Sequence, residues 1–232
     1  MDKKTEQNLL KIVKLNYQTV AEEFNLTRKK EIWPEIANLV ESIKDGERIL
    51  DVGCGNGRLA GALKDKNVAY LGIDQSSNLI DLAKFNYPQC HFEVGDILDL
   101  GQSKEHSFNQ VFCLAVFHHL PSFKLQVKAL KQLKNKVKND GRIVISVWNL
   151  WGYRKYRYLI WKFWFLRILK KHQMSFGDVL FSWKNNQRQI VSQRYYHAFN
   201  RRQLRRLAKE ADLKIVRLDR DRYNYWLILS RP

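Results

Sequence analysis

Three glycines in alternate positions follow a short apolar run near residue 50. The run Arg48-Ile49-Leu50 leads into Asp51-Val52-Gly53-Cys54-Gly55-Asn56-Gly57, and a helical pattern begins at Arg58. A strand that ends in such glycines and turns into a helix lets a ligand lie against bare backbone, where a Cβ would clash. The segment therefore predicts a ligand-binding loop, and the acid in front of the glycines favours a cationic ligand.

Two further predicted strands also end in acids. Tyr70-Leu71-Gly72-Ile73 leads into Asp74 and Gln75, and Phe92-Glu93-Val94-Gly95 leads into Asp96 and Ile97. The first acid comes where a carboxylate could accept hydrogen bonds from both hydroxyls of a ribose. The second is placed to accept from an adenine amino group. Together the three segments predict a nucleoside-cofactor site.

The spacing Asp-x-Gly-x-Gly-x-Gly differs from the Gly-x-Gly-x-x-Gly that seats a pyrophosphate. Glycine loop, ribose acid and adenine acid in this order resemble the class I S-adenosylmethionine-dependent methyltransferases over roughly residues 45–150. The resemblance implies S-adenosyl-L-methionine as cofactor and the following binding residues: Tyr17, Asp51, Gly53, Gly55, Asn56, Gly57, Asp74, Gln75, Asp96, Ile97 and Ala115.

The elements that must position these residues alternate along the chain. Apolar periodicity predicts strands at 47–53, 68–73, 90–94, 111–116, 142–148, 213–218 and 223–229, with helices between most of them. Such alternation favours an α/β fold with a doubly wound, mostly parallel seven-stranded sheet of the Rossmann-like methyltransferase kind. We expect one domain over 1–232, in which N-terminal helices (1–44) cover the cofactor site and a basic, aromatic helical insertion (151–199) binds substrate.

The two halves of the chain differ in charge. Residues 1–116 contain 14 Lys+Arg and 17 Asp+Glu, a net charge of −3, whereas residues 117–232 contain 27 and 6, a net charge of +21; the sum is the +18 of the whole chain. General basicity would not be confined to one half. The cationic half therefore favours a polyanion as partner.

The insertion has the composition of a nucleic-acid contact. Between Trp151 and Arg194 aromatic side chains interleave with lysine and arginine, and Asp178 is the one acid. Cations neutralise phosphates and aromatic rings stack on unpaired bases, so the segment predicts contact with looped or single-stranded RNA. For the apolar stretch 158–169 two other interpretations stay open: an amphipathic helix on an anionic membrane surface, or packing against the core or a partner subunit.

The end of the fourth strand bears on the methyl acceptor. Amino-group methylases often carry Asn/Asp-Pro-Pro-aromatic there, whereas this chain has Ala115-Val116-Phe117-His118-His119. A pyrimidine C5 methylase needs a thiolate, but Cys113 falls inside a buried strand. The sequence argues against both chemistries.

A closer resemblance spans both ends of the chain. It rests on these segments: Tyr17-x-x-x-Ala21-x-x-Phe24, Thr27-Arg28, Trp33-Pro34, Ala115-Val116-Phe117-His118-His119, Arg194-Tyr195-Tyr196-His197-x-Phe199 and Asn224-Tyr225-Trp226-Leu227-Ile228-Leu229. Together they resemble the eukaryotic tRNA wobble-uridine methyltransferases, which esterify 5-carboxymethyluridine at position 34 of the anticodon loop. The resemblance implies the anticodon loop of tRNA as substrate. Because those enzymes work with a small activating subunit, such a subunit is a candidate partner here as well.

This resemblance suggests roles for individual side chains. Arg28 and Arg194 are candidates to orient the acceptor, because a guanidinium fork matches a carboxylate or a phosphate. His118 completes the predicted catalytic set and would stand beside the methyl group. The predicted substrate contacts are Trp33, His119, Tyr195, Tyr196 and His197.

The cysteines and the hydropathy suggest a location. Cys54, Cys90 and Cys113 have no Cys-x-x-Cys spacing, which argues against a metal site and for a reducing compartment. No run of 18 apolar residues and no signal-peptide pattern occurs, so we expect a cytoplasmic protein without a transmembrane segment. Two other functions stay open: a small-molecule carboxylate or oxygen methyltransferase whose basic face binds a membrane or an acidic partner, and a non-catalytic RNA-binding relative.

Overall fold

The structure, a computed structural model, describes residues 1–19, 33–101, 107–184 and 190–232. Its strands are β1 (Arg48–Val52), β2 (Ala69–Asp74), β3 (His91–Val94), β4 (Phe108–Leu114), β5 (Val137–Trp148), β6 (Asp178–Lys184), β7 (Ile190–His197), β8 (Lys214–Arg220) and β9 (Asn224–Ser230). At the centre lies a seven-stranded sheet of order β3-β2-β1-β4-β5-β9-β8. Neighbouring strands are parallel except β9, which is antiparallel to both β5 and β8.

Helices cover both faces of this sheet, which confirms the predicted doubly wound class. They are α1 (Lys3–Thr19), α2 (Pro34–Glu41), α3 (Arg58–Ala62), α4 (Ser77–Asn86), α5 (Phe123–Lys136), α6 (Arg154–Ile168) and α7 (Arg201–Glu210). One apolar cluster joins the sheet to α5 and α7, and a second joins it to α2, α3 and α4. Two covered faces explain why β4 reads as a continuous apolar run in the sequence.

The insertion differs in part from the helical segment that the sequence predicts. Besides α6 it contains an antiparallel pair of strands, β6 and β7, which pair Asp178 with His197 and Phe181 with Arg194. Leu9 and Val13 of α1 pack with Tyr195 of β7 in one apolar cluster. The insertion and the N-terminal helix therefore form one layer beside the carboxyl ends of the parallel strands.

Helix α6 leaves much of its apolar surface in solvent. Ile160 is buried in a cluster with Tyr196, whereas Tyr158, Trp161 and Phe165 are each more than half exposed. The stretch 158–169 thus packs along one side only. In the part of the chain that the structure describes, no helix is both long and apolar enough to cross a membrane.

Candidate active site

The glycine loop between β1 and α3 has the backbone conformation that its sequence predicts. Gly53, Gly55 and Gly57 have φ angles of 80°, 56° and 82°, a region that side chains disfavour. A Cβ on Gly53 would lie 2.1 Å from Cγ2 of Val116, so the loop passes against the end of β4 with no room for a side chain. Gly53 and Gly55 line the cavity described below with Asn56, whereas Gly57 packs against Tyr87 at the start of α3.

Asp51 lies buried at the end of β1. Its Oδ2 accepts a hydrogen bond of 2.9 Å from the Tyr70 hydroxyl. Burial raises the pKa of Asp51 to about 7; the Tyr70 hydrogen bond opposes this shift and the nearby charge of Asp74 adds to it. A carboxyl group in that condition is stabilised as an anion when a cation binds beside it.

Asp74 lies at the end of the neighbouring strand, β2. Its two oxygens accept hydrogen bonds from the backbone N–H groups of Gly55 (3.0 Å) and Ser76 (2.9 Å). Burial raises the pKa of Asp74, and these N–H groups counteract the rise. The carboxylate is thus fixed to the glycine loop, and Gln75 lies beside it on the cavity wall.

The third acid follows β3. Asp96 is exposed, and its Oδ1 accepts a 2.8 Å hydrogen bond from the backbone of Leu98. Ile97 is buried and also lines the cavity. The three predicted acids therefore lie in a row across the carboxyl edge of β1, β2 and β3.

A cavity of about 350 Å³ extends from these acids to the end of β4. Tyr17 of α1 and Trp33 before α2 form part of its wall. Ala115 lines it with a φ of 58°, held by hydrogen bonds from its N–H to the carbonyl and the hydroxyl of Ser146. The cavity is large enough for a nucleoside ligand. Its remaining wall lies beyond the end of β4.

That remaining wall is aromatic. The rings of His118, His119, Trp148 and Tyr196 all line the cavity. Tyr196 stacks on Trp148 with a centroid distance of 4.8 Å and an interplanar angle of 17°, and on His118 with 4.8 Å and 29°. A ligand that reaches this part of the cavity would contact a wall of aromatic rings.

Hydrogen bonds fix both histidine rings. The backbone N–H of Trp148 donates to Nδ1 of His118 at 3.2 Å. The His119 Nδ1 donates to the carbonyl of Tyr195 at 3.0 Å, because a carbonyl only accepts, and Nε2 then accepts from the Tyr17 hydroxyl at 2.7 Å. The pKa of His119 is lowered to about 4, mainly by burial; the hydrogen bond to the Tyr195 carbonyl opposes the shift, and the positive charge of Arg194 adds to it. His119 is therefore neutral at pH 7.

Arg194 lies on β7 beside this wall. Its guanidinium lies over the ring of Trp183. Its charge helps to lower the pKa of His119, and it opposes the burial that raises the pKa of Tyr156. Arg194 does not line the cavity itself. It supplies positive charge next to the aromatic wall.

Tyr195 and His197, both predicted substrate contacts, point to the other side of β7. The Tyr195 hydroxyl and Nδ1 of His197 lie 2.8 Å and 2.7 Å from Oδ1 of the buried Asp178. Successive side chains of a strand alternate between its faces, so only Tyr196 of this segment reaches the cavity. Arg28 lies outside the described residues.

Several residues of the site are not among those predicted from the sequence. Tyr70 orients Asp51, and Trp148 extends the aromatic wall. Asp178 accepts a hydrogen bond from Tyr195 across the antiparallel pair of β6 and β7, which we call the hairpin. For Asp178 a signal existed, since it is the one acid in a basic segment. For Trp148 none did, because its place follows from the pairing of β5 with β4.

A family comparison agrees with this geometry. A family model described as "Methyltransferase domain" matches residues 24–218. The chain belongs to the methyltransferase domain family. The cysteine chemistry of some methyltransferases does not fit this member, since Cys113 is buried and burial raises the pKa of its thiol.

Similar curated proteins include tRNA (carboxymethyluridine(34)-5-O)-methyltransferases of several organisms. The protein of Schizosaccharomyces pombe is 25% identical over 222 residues, which cover 93% of this methyltransferase and 94% of that protein. The protein of Xenopus tropicalis is 32% identical over 136 residues, which cover 58% of this chain. The chain spans only 20% of the length of the Xenopus protein.

Solved structures share the fold. A structure titled as an S-adenosylmethionine-dependent methyltransferase from Methanosarcina mazei has a TM-score of 0.69 and 19% identity, covering 87% of this chain and 99% of that one. A methyltransferase of Haloferax volcanii, solved in complex with the Trm112 methyltransferase activator, has a TM-score of 0.66 and 15% identity, covering 93% and 97%. At these identities the likeness concerns the fold alone.

Proposed function

We propose that the chain is an S-adenosylmethionine-dependent tRNA methyltransferase that converts the carboxylate of 5-carboxymethyluridine at the wobble position to its methyl ester. The observation that carries this proposal is the similarity to the Schizosaccharomyces pombe tRNA (carboxymethyluridine(34)-5-O)-methyltransferase, which runs through nearly the whole of both chains. The three free cysteines support a reducing compartment, and we propose the cytoplasm as the place of action.

The cavity residues fit S-adenosylmethionine. Gly53 and Gly55 bring backbone without side chains to the cavity wall, Asp74 and Asp96 suit ribose hydroxyls and an amino group, and Asp51 suits a cationic end. Tyr17 closes the same cavity from α1. When bound, this cofactor supplies a methyl group on a positively charged sulfur.

The aromatic wall suits a planar acceptor that is already an anion. A carboxylate has an ordinary pKa near 4 and is ionised at neutral pH, so no general base is needed. His119 is neutral and keeps its ring fixed through Tyr17 and the Tyr195 carbonyl. What the protein must supply is orientation and exclusion of water, for which stacked rings and the nearby Arg194 charge are suited.

The test is methyl transfer from labelled S-adenosylmethionine to tRNA from cells that lack this enzyme, followed by nucleoside mass spectrometry. We expect a base-labile methyl ester on a carboxymethyluridine. Label that is absent from RNA, with cofactor binding shown separately, would overturn the tRNA assignment and favour a small acidic substrate. Because a related fold was solved with an activator subunit, the assay includes an arm with such a subunit added.

Two variants test the predicted role of Arg194. Arg194→Gln removes the charge beside the aromatic wall, and we expect transfer to fall at least tenfold with cofactor affinity unchanged. Arg142→Gln is the control, since Arg142 is exposed at the opposite end of β5 from Trp148. Equal activities of the two variants would show that Arg194 has no role in methyl transfer.

A further inference from the structure

Helices α5 and α7 lie side by side on one face of the sheet. Ala129 and Leu133 of α5 share an apolar cluster with Leu204 and Ala208 of α7. The Arg206 guanidinium lies 4.5 Å from the ring centre of Phe123, and Nζ of Lys134 lies 2.7 Å from Oδ2 of Asp212, just beyond α7. The two helices therefore point the same way and turn their other sides to solvent.

Their solvent side is a band of cations. We name it the α5–α7 basic face, and it consists of the exposed residues Lys124, Lys128, Lys131, Arg201, Arg202, Arg205 and Lys209. Among the residues that the structure describes, no carboxylate lies within ion-pair distance of any of them. Glu210 is the one acid in the sequence of the two helices. This face thus carries a dense positive charge that the described part of the chain does not neutralise.

The arrangement works against the stability of the helices. Arg201 and Arg202 stand in the first turn of α7, where the helix dipole favours acids. Arg201 and Arg205 are four residues apart, as are Lys124 and Lys128, and like charges at this spacing repel. A neutral capping box of Asn200 and Gln203 begins α7 instead of an acid. Local choices that oppose the fold are expected where a surface serves a function.

The composition of the face indicates which polyanion it suits. No large apolar side chain of α5 or α7, both of which the structure describes in full, is exposed. A membrane-bound helix inserts such side chains among the lipids, and a single-strand binder stacks bases on exposed aromatic rings. A face that offers charge alone suits the phosphates of a double-stranded RNA backbone, which proteins recognise largely by shape and by phosphate contacts.

The face begins next to the active-site cavity. Helix α5 starts four residues after His119, and α7 starts five residues after Tyr196, and both of these rings line the cavity. From there Arg201 to Lys209 extends roughly 12 Å along the helix axis. Phosphates of a stem could therefore follow the face while an adjoining loop reaches the aromatic wall.

We propose that the α5–α7 basic face binds the phosphate backbone of the double-stranded stem adjoining the loop whose base enters the cavity. This inference rests on the proposed function, since it takes a stem-loop RNA as substrate. The α5–α7 basic face then contributes to the affinity for the stem and does not take part in methyl transfer at the acceptor.

The experiment compares two RNAs and two triple variants. One RNA is an anticodon stem-loop with 5-carboxymethyluridine in the loop, and the other is the single-stranded loop alone. The test variant is Lys128→Glu with Arg202→Glu and Arg205→Glu. The control is Lys44→Glu with Lys64→Glu and Lys84→Glu, which changes the charge equally at exposed positions outside the face and the cavity.

For the stem-loop we expect the test variant to raise KM at least tenfold over the control, with kcat at saturation retained. The slope of log Kd against log salt should fall by about 2 to 3, since each lost phosphate contact contributes about 0.9. For the loop alone the two variants should match. Equal KM values on the stem-loop would overturn the proposal, and would leave an acidic protein as the partner of this face. An equal loss on both RNAs would overturn it as well, since the effect would then act through the cavity.

Binding of a fluorescent stem-loop without turnover separates this proposal from the reaction. If the wild type binds the stem-loop more tightly than the test variant but transfers no methyl group, the proposed reaction is refuted and the proposed RNA contact of the α5–α7 basic face is supported. If methyl is transferred and both triple variants bind the stem-loop alike, the RNA contact of this face is refuted and the proposed reaction is supported. A second variant, with Gln at the same three positions, guards against misfolding; removing repulsion should leave its melting temperature unchanged or raised.

Discussion

At the scale of single residues, Gly53 is the position where the loop conformation and the cavity depend on each other. Gly53→Ala would add a Cβ 2.1 Å from Val116 at a φ of 80°. Gly46→Ala is a matched control, because Gly46 has a φ of 84° and nothing lies within 4 Å of its added Cβ. Both variants bear the backbone strain, which costs on the order of 1 kcal/mol.

We therefore expect Gly53→Ala to lose about 1–3 kcal/mol more stability than Gly46→Ala, because overpacking adds to the strain. Cofactor affinity should fall in Gly53→Ala alone. Thermal unfolding and calorimetric titration with S-adenosylmethionine measure the two effects. Equal losses in both variants would mean that Val116 moves aside without cost.

Asp51 gives cofactor binding a pH dependence. Burial raises its pKa to about 7, so the carboxyl group is mostly protonated at pH 6 and mostly ionised at pH 8. A cationic ligand prefers the ionised form, and affinity for S-adenosylmethionine should rise about tenfold between these pH values. Asp51→Asn should weaken binding and flatten the dependence, whereas the exposed Asp65→Asn should keep it. Titrations at pH 6 and 8 decide this; an unchanged pH slope in Asp51→Asn would contradict it.

The sign for stability is opposite. The pKa of Asp51 is higher in the folded protein than its ordinary value of 3.8, so the folded state holds the proton more tightly. Its contribution to folding is therefore greatest below that ordinary value, falls as pH rises through about 7 and stays constant above. At pH 8 Asp51→Asn should be more stable than the wild type without ligand, so the same carboxyl group serves binding and weakens the fold.

At the scale of elements, two substitutions in α7 change the charge of the helix equally but should change its stability differently. Arg202→Glu places an acid in the first turn, where it interacts well with the helix dipole, and Lys209→Glu places one in the last turn, where it interacts badly. Both remove one repulsive pair at four-residue spacing. Arg202→Glu should therefore be more stable than Lys209→Glu by about 1 kcal/mol, estimated from two opposite dipole terms. Chemical denaturation of the two variants measures this.

The RNA affinity of the same two variants should not follow their stability. Both lose one cation of the α5–α7 basic face, so both should bind the stem-loop more weakly than the wild type by a similar factor. If the two variants differ in stability but not in RNA affinity, charge and not local order determines the RNA contact. If the less stable variant alone lost affinity, helix fraying would explain the loss.

The elements also show how far sequence reasoning reaches. The glycine loop and the acids at the carboxyl ends of β1, β2 and β3 were identified from the sequence, because parallel strands bring these ends to one edge. The hairpin was not, because aromatic residues occur on both of its faces. Only the contacts of Asp178 with Tyr195 and His197 reveal that Tyr196, between them, turns to the cavity. Long-range pairing, not local pattern, decides such positions.

At the scale of the whole molecule, the division of charge separates two kinds of binding. The first 116 residues, which contain most of the cofactor site, have a net charge of −3, and the remaining 116 have +21. Binding of a polyanion by many cations releases counterions and weakens steeply with salt, whereas binding of a small ligand in a cavity releases few. Cofactor and RNA affinity should thus respond differently to ionic strength.

We expect the Kd for tRNA to rise at least a hundredfold between 50 mM and 200 mM salt, as for a protein that contacts several phosphates, and the Kd for S-adenosylmethionine to change less than twofold. Titrations of the wild-type protein with each ligand across this range provide the measurement. A shallow salt dependence for tRNA would show that the positive charge of the second half does not meet phosphates. The aromatic wall and Arg194 would then be left as the basis of any RNA affinity, and the acceptor would have to be recognised without its stem.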